Sequence, residues 1–66
     1  MKVFVVYDTE EHYIAQFDNY IQLSKWFGKT IRSMQSAYSN YTKNKIKFIR
    51  SNNDDGKYLL YKVEID

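Results

Sequence analysis

Residues 19–43 read NYIQLSKWFGKTIRSMQSAYSNYTK, and this stretch decides the fold of the 66-residue chain. Leu23 and Phe27 are four residues apart, which places both side chains on one face of a helix. Gly28 tolerates the left-handed conformation in which many helices end. Thr30 offers a side-chain oxygen to free backbone N–H groups, as residues at helix starts do. The segment therefore predicts two short helices with a tight corner at the glycine.

The second predicted helix has an apolar side and a polar, positively charged side. At 100° per residue, its apolar and aromatic residues share the inner side, namely Ile31, Met34, Ala37, Tyr38 and Tyr41. The outer side carries small polar and basic residues, namely Arg32, Ser36, Ser39 and Lys43, flanked by Ser33, Gln35 and Asn40. Small hydroxyl and amide groups let a helix approach base edges, and cations suit phosphates. The pattern favours a DNA-reading helix, and an ordinary solvated helix face is the alternative.

Basic and acidic residues are segregated along the chain, although its net charge is only +2. Residues 22–50 hold seven Lys and Arg and no acid. Residues 1–21 hold one Lys and four acids, and residues 51–66 hold two Lys and four acids. A basic block between acidic ends is typical of a phosphate-binding surface, and chance segregation in a short chain is the alternative. We expect Lys45 and Lys47, which follow the second helix, to reach phosphates as well.

Two β-hairpins are predicted to flank the helices. β-branched and aromatic residues at 3–7 and an alternating pattern at 12–17 indicate two strands around a turn that begins at Asp8. Residues 46–50 and 57–65 are the strands of the second hairpin, and the residues between them have the composition of a turn. The chain is therefore predicted to have an α+β fold of order ββααββ, with an antiparallel sheet packed on the two helices.

The predicted domain spans residues 1–66, and its helix-turn-helix covers about residues 19–43. The first helix runs from residue 20 to residue 27, after Asn19 as a capping residue. Residues 41–45 are expected to form a loop.

Alternation along a strand predicts which side chains share a face. In the second strand, one face is expected to carry Tyr13, Ala15 and Phe17. In the third strand, Ile46 and Phe48 are expected to point the same way.

The composition argues against an enzyme, a metal site and a membrane span. The chain has no Cys, one His and two Gly, so neither a thiolate metal site nor a glycine-rich phosphate loop is available. His12 has no nearby nucleophile or second His to act with. No apolar run approaches the length of a membrane helix, about 20 residues. We therefore expect a cytoplasmic protein without catalytic residues, cofactor, bound metal or small-molecule substrate.

The helical stretch resembles a helix-turn-helix motif, which has apolar and small residues in a fixed order around a corner glycine. Its positions are matched here by Leu23, Ser24, Phe27, Gly28, Met34 and Ala37. With a preceding hairpin that ends in Phe17-Asp18, the chain is similar over about residues 3–43 to the nuclease-associated modular domains. Those small units accompany homing endonucleases and occur in phage proteins.

The resemblance implies that the second helix enters the major groove of DNA. It implies groove contacts from Arg32, Ser33, Ser36 and Ser39, with Lys29 and Lys43 on flanking phosphates. One residue departs from the pattern, because the position after the corner glycine is usually apolar and here is Lys29. Ile31 is expected to take over its packing role. The candidate nucleic-acid-binding residues are Lys29, Arg32, Ser33, Ser36, Ser39, Asn40, Lys43, Lys45 and Lys47.

The sequence leaves three functions open. The first is a small double-stranded DNA-binding regulator of transcription or accessory factor, of phage or bacterial origin, which would need a homodimer or a larger partner for useful specificity. The alternative is a protein-interaction module or phage-encoded inhibitor with a Tyr-rich surface, because seven Tyr exceed what a thin core can hold. The third is RNA binding by aromatic stacking, although no RNA-module signature is present.

Overall fold

Both predicted hairpins and both predicted helices are present in a computed structural model, which describes residues 1–65. The elements are β1 (Lys2–Asp8), β2 (Tyr13–Phe17), α1 (Tyr20–Phe27), α2 (Ile31–Thr42), β3 (Ile49–Arg50) and β4 (Lys57–Glu64). The strands form a four-stranded sheet in the order β2-β1-β4-β3, and every neighbouring pair is antiparallel. The predicted α+β fold of order ββααββ is therefore confirmed.

The hydrophobic core lies between the two helices and one face of the sheet. Alternate residues of a strand point to the same face, so Phe4 and Val6 of β1 both face the helices. The buried cluster consists of Phe4, Val6, Leu23, Phe27, Met34, Ile49 and Leu60, each at most 4% exposed. Burying one side chain of this kind contributes about 1.5–3 kcal/mol, so this cluster holds the helices to the sheet.

The helix ends carry the caps that the sequence predicts. Asn19 Oδ1 accepts a hydrogen bond from the Gln22 N–H at 2.9 Å, at the start of α1. Thr30 Oγ1 accepts one from the Ser33 N–H at 3.1 Å, at the start of α2. Both bonds satisfy N–H groups that the first turn of a helix leaves free. Gly28 follows α1 with a φ of 70°, in the left-handed region that favours glycine, so the predicted corner is confirmed.

The end of α1 is also held by two residues of the loop between β3 and β4. Asn53 Nδ2 donates to the Trp26 carbonyl at 2.7 Å, and the Asn52 N–H donates to the Phe27 carbonyl at 2.8 Å. Asn52 Nδ2 also donates to the Gly28 carbonyl at 3.2 Å. A helix leaves its last carbonyls without partners, and these two residues, the asparagine clamp, supply donors for them. The clamp fixes the helical corner to the β3–β4 hairpin.

α2 runs further than predicted. It ends at Thr42, so Tyr41 and Thr42 are helical and the expectation of a loop at these two positions is wrong. Tyr41 packs against the core, and this packing extends the helix. Asn44 then adopts a φ of 61°, and the Lys45 N–H bonds back to the Asn40 carbonyl at 2.9 Å. Asparagine is the residue besides glycine that ends helices in this way.

β3 is shorter than predicted. Only Ile49 and Arg50 pair with β4, and residues 46–48 are irregular, so the predicted strand from residue 46 is wrong. Ile49 is the core residue of this segment at 1% exposure, whereas Ile46 is 37% exposed. The longer α2 explains the difference, because the residues after it must return the chain from the helix layer to the sheet.

β2 contains a β-bulge that an alternating pattern does not predict. Val6 of β1 lies opposite Ala15, whereas Tyr7 lies opposite Tyr13, so Ile14 is an extra residue in β2. Tyr13 therefore shares a face with Tyr7, at 6.3 Å between ring centroids, while Ala15 packs against the core. The expectation that Tyr13 shares a face with Ala15 is wrong, because the bulge reverses the alternation between them.

Replacing Gly28 with alanine is expected to lower the free energy of unfolding by about 1–3 kcal/mol, because a φ of 70° strains a residue that has a Cβ. The added Cβ would also lie 2.5 Å from Asn53 Oδ1. Urea unfolding of Gly28→Ala, Asn53→Ala and the double variant separates the two effects. We expect Gly28→Ala to cost less in the Asn53→Ala background. A Gly28→Ala variant as stable as the wild type would contradict the left-handed corner.

Candidate nucleic-acid interface

The outer side of α2 faces away from the core. The predicted contact residues that are exposed on it are Arg32, Ser33, Ser36, Asn40 and Lys43. Ser39 lies among them and is half-buried. The opposite side of the helix carries Met34, which is buried against the sheet. The structure thus brings these six predicted residues together on one accessible surface, which we call the α2 face.

The α2 face is long enough to span a groove of DNA. Arg32 and Lys43 lie near its two ends, roughly 16 Å apart along the axis at 1.5 Å per residue. The major groove of B-DNA is about 12 Å wide. Ser36 and Ser39 lie between the two cations. Their short side chains allow the helix backbone to approach a bound molecule closely.

No carboxylate in the described part of the chain forms an ion pair with a cation of the α2 face. Within residues 1–65, the ion pairs join the Met1 amino group to Glu64, and His12 to Asp8 and Glu10. None of them involves a Lys or Arg side chain, and α2 itself contains no acidic residue. Cations without a protein partner attract a polyanion, and this attraction weakens as salt screens it.

Lys29 lies at the helical corner and is partly engaged there. It is half-buried, and its Nζ lies 3.4 Å from Asn52 Oδ1. Ile31 does not take over the packing role of this position, because it is 42% exposed, so that expectation is wrong. The asparagine clamp covers the corner instead, which explains why the residue after Gly28 need not be apolar.

Four other basic residues lie in two different places. Lys45 and Lys47 are exposed in the loop between α2 and β3, and Lys47 lines a groove between this loop and β4. Arg50 and Lys57 are cross-strand partners in the β3–β4 hairpin. Because Ile49 faces the core, its neighbour Arg50 lies on the sheet face away from the helices. The basic block of the sequence is therefore not one continuous surface.

The turn between β1 and β2 is built around a carboxylate rather than a reactive centre. Asp8 Oδ1 accepts hydrogen bonds from the N–H groups of Glu10 and His12, both at 2.9 Å, and Asp8 Oδ2 lies 3.1 Å from His12 Nδ1. The backbone N–H of His12 is the main reason why the pKa of Asp8 lies below its usual range.

Across residues 1–65, no three His, Cys, Asp or Glu side chains are grouped to hold a metal ion. No helix in that range has the length and apolar character needed to cross a bilayer.

The loop between β3 and β4 contacts the end of α1 in a way that its sequence does not predict. Residues 52–56 have the composition of a turn, and Asp54 does form one, since its Oδ1 accepts the Gly56 N–H at 2.8 Å. Asp54 Oδ2 also accepts the Tyr58 hydroxyl at 2.7 Å. Nothing local in the sequence indicates that Asn52 and Asn53 reach α1, because their partners lie more than 20 residues away.

No family model, curated protein or solved structure matches this chain. The resemblance to nuclease-associated modular domains therefore stays a prediction from the sequence motif.

Replacing Tyr58 with phenylalanine is expected to raise the pKa of Asp54 towards its ordinary value, because the Tyr58 hydroxyl is the main cause of its lowered pKa. A carboxylate with a lowered folded-state pKa stabilises the fold above about pH 4, and this stabilisation is lost as pH falls through the folded-state pKa. The variant should therefore lose less stability than the wild type on acidification below about pH 4. NMR titration of the Asp54 carboxyl measures the shift, with Tyr7→Phe as the control. An unchanged pKa would contradict the hydrogen bond.

Proposed function

We propose that this chain is a small helix-turn-helix protein that binds double-stranded DNA, with α2 in the major groove. The observation that carries the proposal is the α2 face, which is exposed, basic and free of carboxylates. The corner at Gly28 and the asparagine clamp give this helix a fixed direction, as a groove-reading helix requires. The resemblance to nuclease-associated modular domains supports the same role.

The chemistry of the side chains suggests which residues contact bases and which contact phosphates. We assign groove contacts to Arg32, Ser33, Ser36, Ser39 and Asn40, because guanidinium, hydroxyl and amide groups bond base edges. We assign phosphate contacts to Lys43, Lys45 and Lys47, which extend from the end of α2 into the following loop. Lys29 contributes less than its charge suggests, because Asn52 accepts a hydrogen bond from its ammonium group.

One copy of the chain has few base-reading side chains. A good bidentate pair between a side chain and a base discriminates by about 1–3 kcal/mol, and Arg32 is the one guanidinium on the α2 face. We therefore propose that useful specificity comes from a homodimer or from a larger DNA-bound partner. In this role the protein acts in the cytoplasm as a regulator of transcription or an accessory factor.

Removing a cation from the α2 face is expected to weaken DNA binding. Arg32→Ala and Lys43→Ala should each lower the affinity for a random-sequence duplex several-fold and reduce the slope of log K against log salt by about one. Fluorescence anisotropy with a labelled duplex at several salt concentrations measures both quantities. Single-stranded DNA and RNA of the same sequence, measured alongside, test the preference for duplex.

Two matched variants serve as controls for this measurement. Arg50→Ala removes the same side chain from the sheet face away from the helices, and Lys2→Ala removes a lysine from the start of β1. Both should leave the affinity within about twofold, because neither residue belongs to the α2 face. Equal losses in all four variants, binding that does not respond to salt, or no binding to any duplex at low salt would contradict the proposed function.

A further inference from the structure

β4 is longer than the strand beside it. β3 pairs with β4 only at Lys57 and Tyr58, so residues 60–64 have no strand neighbour on that side within the described chain. On its other side, β4 pairs with β1 from Tyr58 to Glu64. A stretch of strand backbone therefore lies open at the side of a well-formed sheet.

The backbone groups of this stretch alternate between β1 and the open side. The Ile65 N–H bonds to the Met1 carbonyl at 2.6 Å, which places the odd-numbered residues of β4 on the β1 side. Leu60, Lys62 and Glu64 therefore direct their N–H and C=O groups to the open side. The Leu60 N–H donates a hydrogen bond to the Tyr41 hydroxyl at 3.4 Å. A side chain of α2 therefore occupies the position where a neighbouring strand would begin.

A groove of about 630 Å³ runs along this open side, between the end of α2 and β4. Aromatic and apolar side chains line it together with two lysines, among them Tyr38, Tyr41, Leu60, Lys47 and Lys62. Among residues 1–65, no acidic side chain lines the groove. The Lys62 ammonium lies 5.4 Å from the centre of the Phe4 ring, an attraction that holds the charge beside the groove.

We propose that this groove binds an extended, acidic segment of a partner protein, which joins the sheet as a strand beside β4. Main-chain hydrogen bonds to Lys62 and Glu64 provide affinity, and side chains at alternate positions of the segment contact Tyr38 and Tyr41. Lys47 and Lys62 attract its carboxylates. The Glu64 side chain lies outside the lining of the groove. Residues 61–64, which lie beyond the Tyr41 hydroxyl, accommodate a segment about 14 Å long.

A polypeptide fits the open side of β4 better than a nucleic acid does. The open side presents N–H and C=O groups together at every second residue, which is the pattern that another strand matches. A sugar–phosphate backbone offers acceptors but no N–H donors at this repeat. Tyr38 and Tyr41 belong to the apolar side of α2, so the groove is separate from the α2 face, and Lys47 is the one residue assigned both to the groove and to a phosphate contact. The acidic segment is therefore a partner in addition to DNA.

The test titrates the ¹⁵N-labelled full chain with the peptide acetyl-Glu-Val-Glu-Val-Glu-Val-amide. Two further peptides carry N-methyl groups either on every Glu or on every Val. Only one of these two sets of amides faces β4 in a paired strand, so one methylated peptide should bind at least about tenfold more weakly while the other binds like the parent. The parent should bind with a Kd of about 1 mM or tighter and should shift the amide signals of Lys62 and Glu64.

Charge-reversed variants locate the site. Lys47→Glu and Lys62→Glu should each weaken binding of the parent peptide about tenfold, whereas Lys25→Glu on α1 should not change it. The ¹H–¹⁵N spectrum of each variant verifies that it is folded.

Three outcomes would overturn the proposal. The first is equal binding of the two methylated peptides. The second is no shift of the Lys62 and Glu64 amides at about 2 mM parent peptide. The third is a duplex that shifts the same amides and loses affinity in Lys62→Glu as much as in Arg32→Ala, since the groove would then belong to the DNA site. Loss of DNA binding in Arg32→Ala alone concerns the α2 face and leaves the groove unaffected.

Discussion

The hydrogen bonds of the asparagine clamp are the contact on which the rest of this small domain depends. α1 ends beside a left-handed glycine and leaves carbonyl groups that no residue of the helix can satisfy. Asn52 and Asn53 supply the donors from a loop 24–27 residues further along the chain. These hydrogen bonds are exposed and contribute about 0.5–1.5 kcal/mol each, and together they hold the loop and the helix to each other. The direction of α2, which starts three residues after the glycine, follows from this contact.

The way in which the core is built also decides where the charges lie. The apolar side of α2 packs against Phe4, Leu60 and the rest of the buried cluster, so the cations of this helix must face outward. The basic residues of α2 and of the loop that follows it are separated from the acidic residues in the sequence, and they are also separated from them in space. The β3–β4 hairpin breaks this correspondence, because pairing with β4 carries Arg50 to the opposite face of the sheet. A run of basic residues in a sequence is thus a poor guide to a basic surface wherever a strand interrupts it.

Features of this fold that are set by near neighbours could be predicted from the sequence. Both helix starts, the corner glycine and the exposed side of α2 depend on residues within one or two turns, and each lies where the pattern indicates. The order of strands and helices was equally accessible, because each hairpin has its own turn signal. The exposed positions of Arg32, Ser36 and Lys43 follow from the same helical period.

Features that depend on distant parts of the chain could not be predicted. The short β3, the bulge at Ile14 and the exposure of Ile31 arise from how the helix layer meets the sheet, which no local pattern records. In the sequence, Asn52 and Asn53 have the pattern of ordinary turn residues, and their contact with α1 is visible only in the folded structure. The position of Lys29 belongs to this group too, because Asn52 accepts a hydrogen bond from its ammonium group.

The bulge in β2 has a consequence for how this protein behaves when it is concentrated. β2 is an edge strand, and its five residues include no charge that would repel a second molecule. Flat, uncharged edges are the templates from which fibrils grow, whereas a bulge twists the edge and spoils the match. We therefore expect any protection of this edge against a second molecule to come from the bulge at Ile14 rather than from electrostatic repulsion.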